Sequence, residues 1–97
     1  MPSYVVLENW TEKGLREFRA SPTRLDGAAA ALEEVGASIT SAYWTMGPYD
    51  IVSVIEAPDD ETVSAHMLRD ASAGNVRSIT MRAFDQEEML RIARRST

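Results

Sequence analysis

The chain has 97 residues, a formal net charge of −5 and no cysteine. This length fits a single domain spanning residues 1–97, and the lack of cysteine excludes disulfides and thiolate metal sites. An acidic chain without a basic cluster is a poor candidate for binding nucleic acid or an anionic membrane surface. The N-terminus enters a strand-like run directly, and no apolar run is long enough to span a bilayer, so we expect a cytoplasmic protein.

The first third of the chain predicts a strand, a short turn and a helix. Residues 3–10 are almost continuously apolar, which is typical of a strand covered on both faces. Residues 11–20 predict a short helical turn or an ordered loop. Apolar residues at helical spacing predict a helix over 22–35, with Ser21 as its N-cap before a proline and Gly36 as its left-handed end.

The middle of the chain predicts two strands and a second helix. Strands over 37–46 and 50–57 are rich in aromatic and β-branched residues and meet at a tight turn, Gly47-Pro48. The acidic segment 58–61 opens a helix, because carboxylates suit the positive end of the helix dipole. Gly74 ends that helix.

The last quarter predicts a strand over 75–84 and a final helix that begins at Asp85. Asp85 and Glu88 stand three residues apart, as in a capping box. The order is therefore βαββαβ with an extra C-terminal helix. This pattern predicts an α+β, ferredoxin-like fold in which two helices cover one face of a four-stranded antiparallel sheet.

Strand alternation assigns side chains to the two faces of the predicted sheet. We expect the helix-covered core to contain Val5, Leu7, Val52, Val54, Ile79 and Met81. The opposite, open face then carries Tyr4, Val6, Glu8, Trp10, Ile51, Ser53, Ile55, Val76, Ser78, Thr80, Arg82 and Phe84. On the second strand, either Ser41, Tyr43 and Thr45 or Ala42, Trp44 and Met46 face the helices.

An open face of this mixed character would be a large amphipathic patch, which monomers seldom expose. Two such sheets packed together would bury it and leave a polar-lined cavity at the centre, so we expect a homodimer of the α/β-barrel kind or a higher homo-oligomer. The alternative is that the last helix folds back over the sheet.

Two groups of polar residues are candidates for ligand binding. Tyr49 and Asp50 follow the tight turn, where they offer a phenol and a carboxylate, although Asp50 is also suited to bonding nearby backbone amides. Glu8 and Arg82 are expected to face each other across neighbouring strands. Such a pair could hold a polar substrate, or could be a cross-strand ion pair of modest value.

Three aromatic residues, Trp10, Tyr43 and Trp44, could stack on a flat apolar ligand, or could simply pack in the core or an interface. The one histidine, His66, lies in the second helix, where a partly exposed residue is a better interpretation than a general base. No spacing of acids and histidine is typical of a metal site, and no cofactor is expected.

Several blocks of the sequence carry a resemblance to a known family. They are 4–7 with 9–11, Ser21-Pro22, the run YWTMGPYDIV at 43–52, EAPDD at 56–60 and GNVR at 74–77. Together they resemble the GYD-domain family. The resemblance implies a ferredoxin-like fold that associates as a dimeric α/β barrel. Related barrels include cofactor-independent monooxygenases, isomerases and ligand-sensing modules, so the fold alone does not select a function.

Three hypotheses follow. The first is a homo-oligomeric domain with a binding, accessory or sensing role and a small-molecule ligand. The second is a cofactor-independent monooxygenase or isomerase acting on an apolar or aromatic metabolite, with Glu8 or Asp50 as base and Arg82 as anion stabiliser. The third is a purely structural oligomer whose sheet face is consumed by contacts.

Overall fold

The computed structural model describes residues 1–96, which form a four-stranded antiparallel sheet and four helices. The strands are β1 (Ser3–Trp10), β2 (Ser38–Trp44), β3 (Ile51–Glu56) and β4 (Val76–Ala83), in the order β2-β3-β1-β4. The helices are α1 (Glu12–Arg16), α2 (Ser21–Glu34), α3 (Asp60–Ser72) and α4 (Gln86–Arg95), and a 3-10 turn spans Phe18–Ala20. The predicted βαββαβ order with an additional C-terminal helix is confirmed.

The helix ends follow the expected side-chain chemistry, with one exception. The capping box of α4 is present: Asp85 Oδ1 accepts from Glu88 N at 2.8 Å, and Glu88 Oε1 accepts from Asp85 N at 3.1 Å. The prediction that Ser21 caps α2 is wrong. Ser21 lies inside the helix, and its hydroxyl accepts a hydrogen bond of 2.9 Å from Trp44 Nε1 instead, which ties α2 to the end of β2.

Helices α2 and α3 cover the face of the sheet that we expected to be open. The core consists of Tyr4, Val6 and Ile55 from the sheet, packed with Leu32 of α2 and Val63 of α3. The predicted assignment of the two faces is therefore inverted. The reason is that β1 and β3 are apolar at both odd and even positions, so alternation gave no reliable signal, and the polar Glu8 and Ser53 were wrongly placed towards solvent.

The open face instead carries the residues predicted for the core, which join Ser41 and Tyr43 in two mostly apolar rows across the sheet. Strand register places one row as Tyr43, Val52, Leu7 and Ile79, and the next as Ser41, Val54, Val5 and Met81. Ile79 is 50% exposed and Tyr43 is 65% exposed. Helix α4 does not bury this face, since none of its own residues is buried. We call these eight residues the apolar strip.

Candidate functional site

A cavity of about 70 Å³ lies between the covered face of the sheet and helices α2 and α3. Its walls are apolar where the core meets it, at residues such as Val6 and Ile55. Its polar lining comes from five elements and the turn before β4: Glu8, Ser21, Arg24, Trp44, Ser53, His66, Asp70 and Asn75. An apolar chamber with a few convergent polar groups is the usual form of a small-molecule site.

Helical spacing brings the charged residues of α2 and α3 to this cavity. Arg24 stands four residues before Ala28 on α2, and His66 stands four residues before Asp70 on α3; all four line the cavity. Residues three or four apart share one helix face, so each charged group accompanies the inward-facing stripe of its helix. The cavity thus receives charged side chains from two different helices.

The end of the cavity nearest β4 is fixed by α1, which packs against the turn that holds Asn75. Thr11 N donates to Asn75 O at 3.1 Å, and the Thr11 hydroxyl donates to Gly74 O at 2.5 Å. Gly14 allows this contact, because a Cβ atom at that position would lie 1.9 Å from the carbonyl oxygen of Asn75. The backbone of Asn75 is therefore held on two sides.

Burial shifts the pKa values of two side chains that line the cavity. Desolvation, together with a hydrogen bond to Asp70 and the charge of Asp70, raises the pKa of Glu8 to about 8. Burial also lowers the pKa of His66, which keeps the imidazole neutral at pH 7. At neutral pH the site thus holds a proton on Glu8, beside Asp70 and the guanidinium of Arg24.

Three of the lining side chains present buried atoms without hydrogen-bond partners among residues 1–96: Glu8 Oε2, Arg24 Nη2 and Asn75 Oδ1. Arg24 Nη1 donates to the carbonyl of Glu17 at 3.2 Å. No ion pair within the described part of the chain joins Arg24 to Glu8 or Asp70. The cavity therefore holds an acid pair and a guanidinium that do not neutralise each other directly.

The predicted ligand-binding residues lie in several different parts of the fold. Glu8 and Trp44 line the cavity, Trp44 being 42% exposed. Tyr43 belongs to the apolar strip on the other side of the sheet. The indole nitrogen of Trp10 is buried and, like the three atoms above, has no partner among residues 1–96.

Tyr49 and Asp50 lie in the turn between β2 and β3. Asp50 Oδ2 accepts from Trp10 N at 2.9 Å, and Asp50 N donates to Glu8 O at 2.9 Å. The carbonyl of Tyr49 accepts from the Thr45 hydroxyl at 2.6 Å. These bonds attach the turn to the end of β1, so Asp50 has the backbone-bonding role that was its alternative interpretation, while ligand binding by either residue stays a prediction.

The predicted pairing of Glu8 with Arg82 is wrong. The β1–β4 register places Arg82 opposite Tyr4 and Glu8 opposite Ser78, so the two charges are separated by four residues along the strands. Arg82 Nη2 lies 3.4 Å from Glu88 Oε2 at the start of α4, and the guanidinium lies over the ring of Phe84. Arg82 thus links β4 to α4 and does not line the cavity.

Sequence reasoning missed Arg24, Ser53, Asp70 and Asn75 as site residues. A signal for two of them was present: Arg24 and Asp70 occupy helix positions that share a face with apolar residues, where a charge is unexpected. Ser53, buried between Ile51 and Ile55, gave a similar signal on β3. Asn75 could be identified only from the packing of α1.

Residues 1–96 contain neither a metal-binding cluster nor a membrane-spanning helix. No three acidic or histidine side chains are grouped so that they could hold a metal ion. No helix within that range has the length and apolarity needed to cross a bilayer.

Comparisons with known proteins agree with this architecture. A relative from Thermus thermophilus, the glutamine synthetase and cystathionine beta-lyase binding protein, is 34% identical over 91 residues, covering 93% of this chain and 96% of the relative.

Solved structures show the same fold at lower identity. FFRP-DM1 superposes with a TM-score of 0.60 at 17% identity, covering 87% of this chain and all of that one. TTHA0845 from Thermus thermophilus superposes with a TM-score of 0.55 at 23% identity, covering 88% of this chain and 95% of that one. The model of the GYD domain matches residues 4–93, so the chain belongs to the GYD-domain family.

Proposed function

We propose that this chain is a homodimeric accessory domain that binds a metabolic enzyme. The observation that carries the proposal is the near full-length likeness to a relative whose name describes binding to glutamine synthetase and cystathionine beta-lyase. A small acidic chain built around one sheet is suited to such a role, since it can offer one face to a second copy and keep its remaining surface for a partner.

The apolar strip supports self-association. Two adjacent rows of the open face contain no charged residue, and their outer members Tyr43, Ile79 and Met81 are each at least 42% exposed. Monomers seldom leave a continuous apolar area of this kind in water. A second copy supplies a matching surface, because a two-fold axis pairs one patch with itself.

Charges at the ends of the apolar strip also favour a second copy of the chain as its partner. Glu56 of β3 lies on the open face at one end of the strands, and Arg77 of β4 lies on that face at the other end. A two-fold axis perpendicular to the strands brings each Glu56 towards the Arg77 end of the second copy. The net charge of −5 makes such local compensation useful when two acidic chains meet.

Helix α4 adds an exposed apolar surface of its own. Met89 is 52% exposed and Ile92 is 37% exposed, although they are three residues apart on one helix face. The Arg82–Glu88 contact fixes the start of α4 to β4. The helix thus presents a second apolar stripe that a neighbouring copy could cover.

The enzyme-binding part of the proposal is tested with purified components. The full chain is immobilised and exposed to purified glutamine synthetase and, separately, to cystathionine beta-lyase from the source organism, with an unrelated acidic enzyme as control. We expect saturable binding to at least one of them, with a Kd below about 10 μM, and none to the control. Absence of binding to both enzymes, or equal binding to the control, would overturn it.

A further inference from the structure

The cavity between α2, α3 and the sheet lies on the opposite side of the sheet from the apolar strip. Its chemistry therefore does not depend on the proposed dimer or on an enzyme partner. In this cavity Glu8, Arg24 and Asn75 each bury a polar atom that has no hydrogen-bond partner among residues 1–96. A buried hydrogen-bonding atom without a partner is energetically unfavourable, more so if it is charged, so three in one chamber indicate a missing partner.

The arrangement of charge specifies what that partner must carry. In a region of low dielectric, an acid and a guanidinium attract each other strongly and normally close into an ion pair. Here Arg24 lines the cavity from α2, while Glu8 and Asp70 line it from β1 and α3, and no ion pair within 4.0 Å is formed between them in residues 1–96. A ligand that carries one negative and one positive group would pair with the guanidinium of Arg24 and with the two carboxyl groups.

We infer that the cavity binds a small zwitterion, an amino acid with a short side chain. Its carboxylate accepts hydrogen bonds from Arg24 Nη2, since a guanidinium pairs well with a carboxylate. Its ammonium group donates to Glu8 Oε2 and to the carboxylate of Asp70. Asn75 Oδ1 accepts the remaining ammonium proton, so every unpartnered atom of the cavity receives a partner of the correct kind.

Cavity size limits the ligand to the smallest members of this class. The volume is about 70 Å³. A single water needs roughly 10–15 Å³ of such volume, so the chamber has room for roughly five to seven water-sized groups. Glycine, alanine and serine meet this limit, whereas an aromatic amino acid does not.

The acid pair gives the binding a distinctive pH dependence. Burial and Asp70 raise the pKa of Glu8, so the empty site holds a proton that the ligand ammonium must displace. The other ionisable groups lining the cavity are Asp70 and His66 on α3 and Arg24 on α2. Since the pKa of His66 is lowered by burial, Glu8 is the group that changes charge near pH 8. Affinity for a zwitterion therefore increases as the pH rises towards about 8.

The test is isothermal titration calorimetry of the full chain with glycine, L-alanine and L-serine, and with two matched analogues that carry one charge each, propionate and ethylammonium. We expect at least one amino acid to bind with a Kd below about 1 mM, and both analogues to bind at least about tenfold more weakly. Equal binding of propionate or ethylammonium would overturn the two-ended site. No binding of any amino acid at about 50 mM would overturn the site altogether.

Variants then locate the binding. Glu8→Gln and Arg24→Gln should each weaken the amino acid at least about tenfold, whereas the exposed charges Glu12→Gln and Arg16→Gln should leave it unchanged. If Arg24→Gln fails to fold, the amide and side-chain NH₂ signals of Asn75 in a ¹H–¹⁵N spectrum of the unmutated chain replace it. They should shift on titration with the amino acid, and unchanged Asn75 signals or full affinity in Glu8→Gln would contradict the assignment.

Discussion

The two faces of the sheet differ in a way that reverses the usual expectation. The face covered by α2 and α3 contains the polar residues Glu8 and Ser53, while the uncovered face carries the apolar strip. A polar group on a covered face needs a partner, and an apolar group on an open face needs a cover. The comparison teaches that each face has its own requirement, and the two proposals address them separately: a small ligand for the covered face and a second copy for the open face.

The largest expected effect comes from placing a charge on the open face. Ile79→Asp places a charge in the apolar strip at a side chain that is 50% exposed, so the single chain should still fold. Burying two such carboxylates per dimer should raise the dimer dissociation constant at least about 100-fold, measured by sedimentation equilibrium. Leu68→Asp, at a residue of α3 that is 73% exposed, is the control and should leave it unchanged. Equal effects of the two substitutions would contradict the assignment of the interface.

Alanine substitutions at two helical glycines test the packing on the covered face. We expect the two substitutions to change the free energy of unfolding in opposite directions. Gly14→Ala forces a methyl group against the backbone oxygen of Asn75, so the free energy of unfolding should fall by about 2–3 kcal/mol. At Gly27 on α2 a methyl group would contact nothing within 4 Å, so Gly27→Ala should raise the free energy of unfolding by about 0.5–1 kcal/mol. Urea denaturation measures both. Stabilisation by Gly14→Ala would show that α1 does not press on the cavity wall as described.

The acid of the cavity should make stability depend on pH. Glu8 has an ordinary pKa near 4.5 when unfolded and about 8 when folded, so the folded chain holds an extra proton between these values. The free energy of unfolding contributed by Glu8 therefore falls as the pH rises towards about 8, by at most about 1.4 kcal/mol for each pH unit.

Urea denaturation at about pH 7 and about pH 9 covers the upper part of this range, where His66 is largely neutral in both states. Glu8→Gln should remove most of the fall. An equal fall in the variant and the unmutated chain would show that Glu8 is not the group that titrates.

The smallest effect concerns the ends of the apolar strip. Glu56→Arg and Arg77→Glu should each weaken self-association about threefold, because each leaves two like charges near one another across the interface. The double exchange should restore most of the affinity. If the double variant is weaker than either single variant, the two-fold axis is not perpendicular to the strands.

Strand and helix order could be predicted because the relevant signals are local. Gly36 and Gly74 have positive φ where the helices were expected to end, and Asp85 and Glu88 form the expected capping box. These features depend on residues within one turn of each other, so a single sequence contains them.

The faces and the site could not be predicted, because they depend on register and on packing across the chain. Val52, Val54, Ile51 and Ile55 are all suitable for a core, and only the helices that cover β3 decide which pair is used. Arg82 was placed near Glu8 by counting faces, but the β1–β4 register separates them. The cavity itself depends on Arg24 of α2 and Asp70 of α3 lining the same space. No pattern within one segment of the sequence predicts that arrangement.

Sedimentation equilibrium of the unmutated chain over a range of concentrations tests the central claim most directly. If the open face requires a second copy, the mass should approach twice the 10.7 kDa of the chain and fall only on strong dilution. A constant mass of 10.7 kDa at the highest concentrations would mean that the apolar strip stays in contact with water, and would contradict the account.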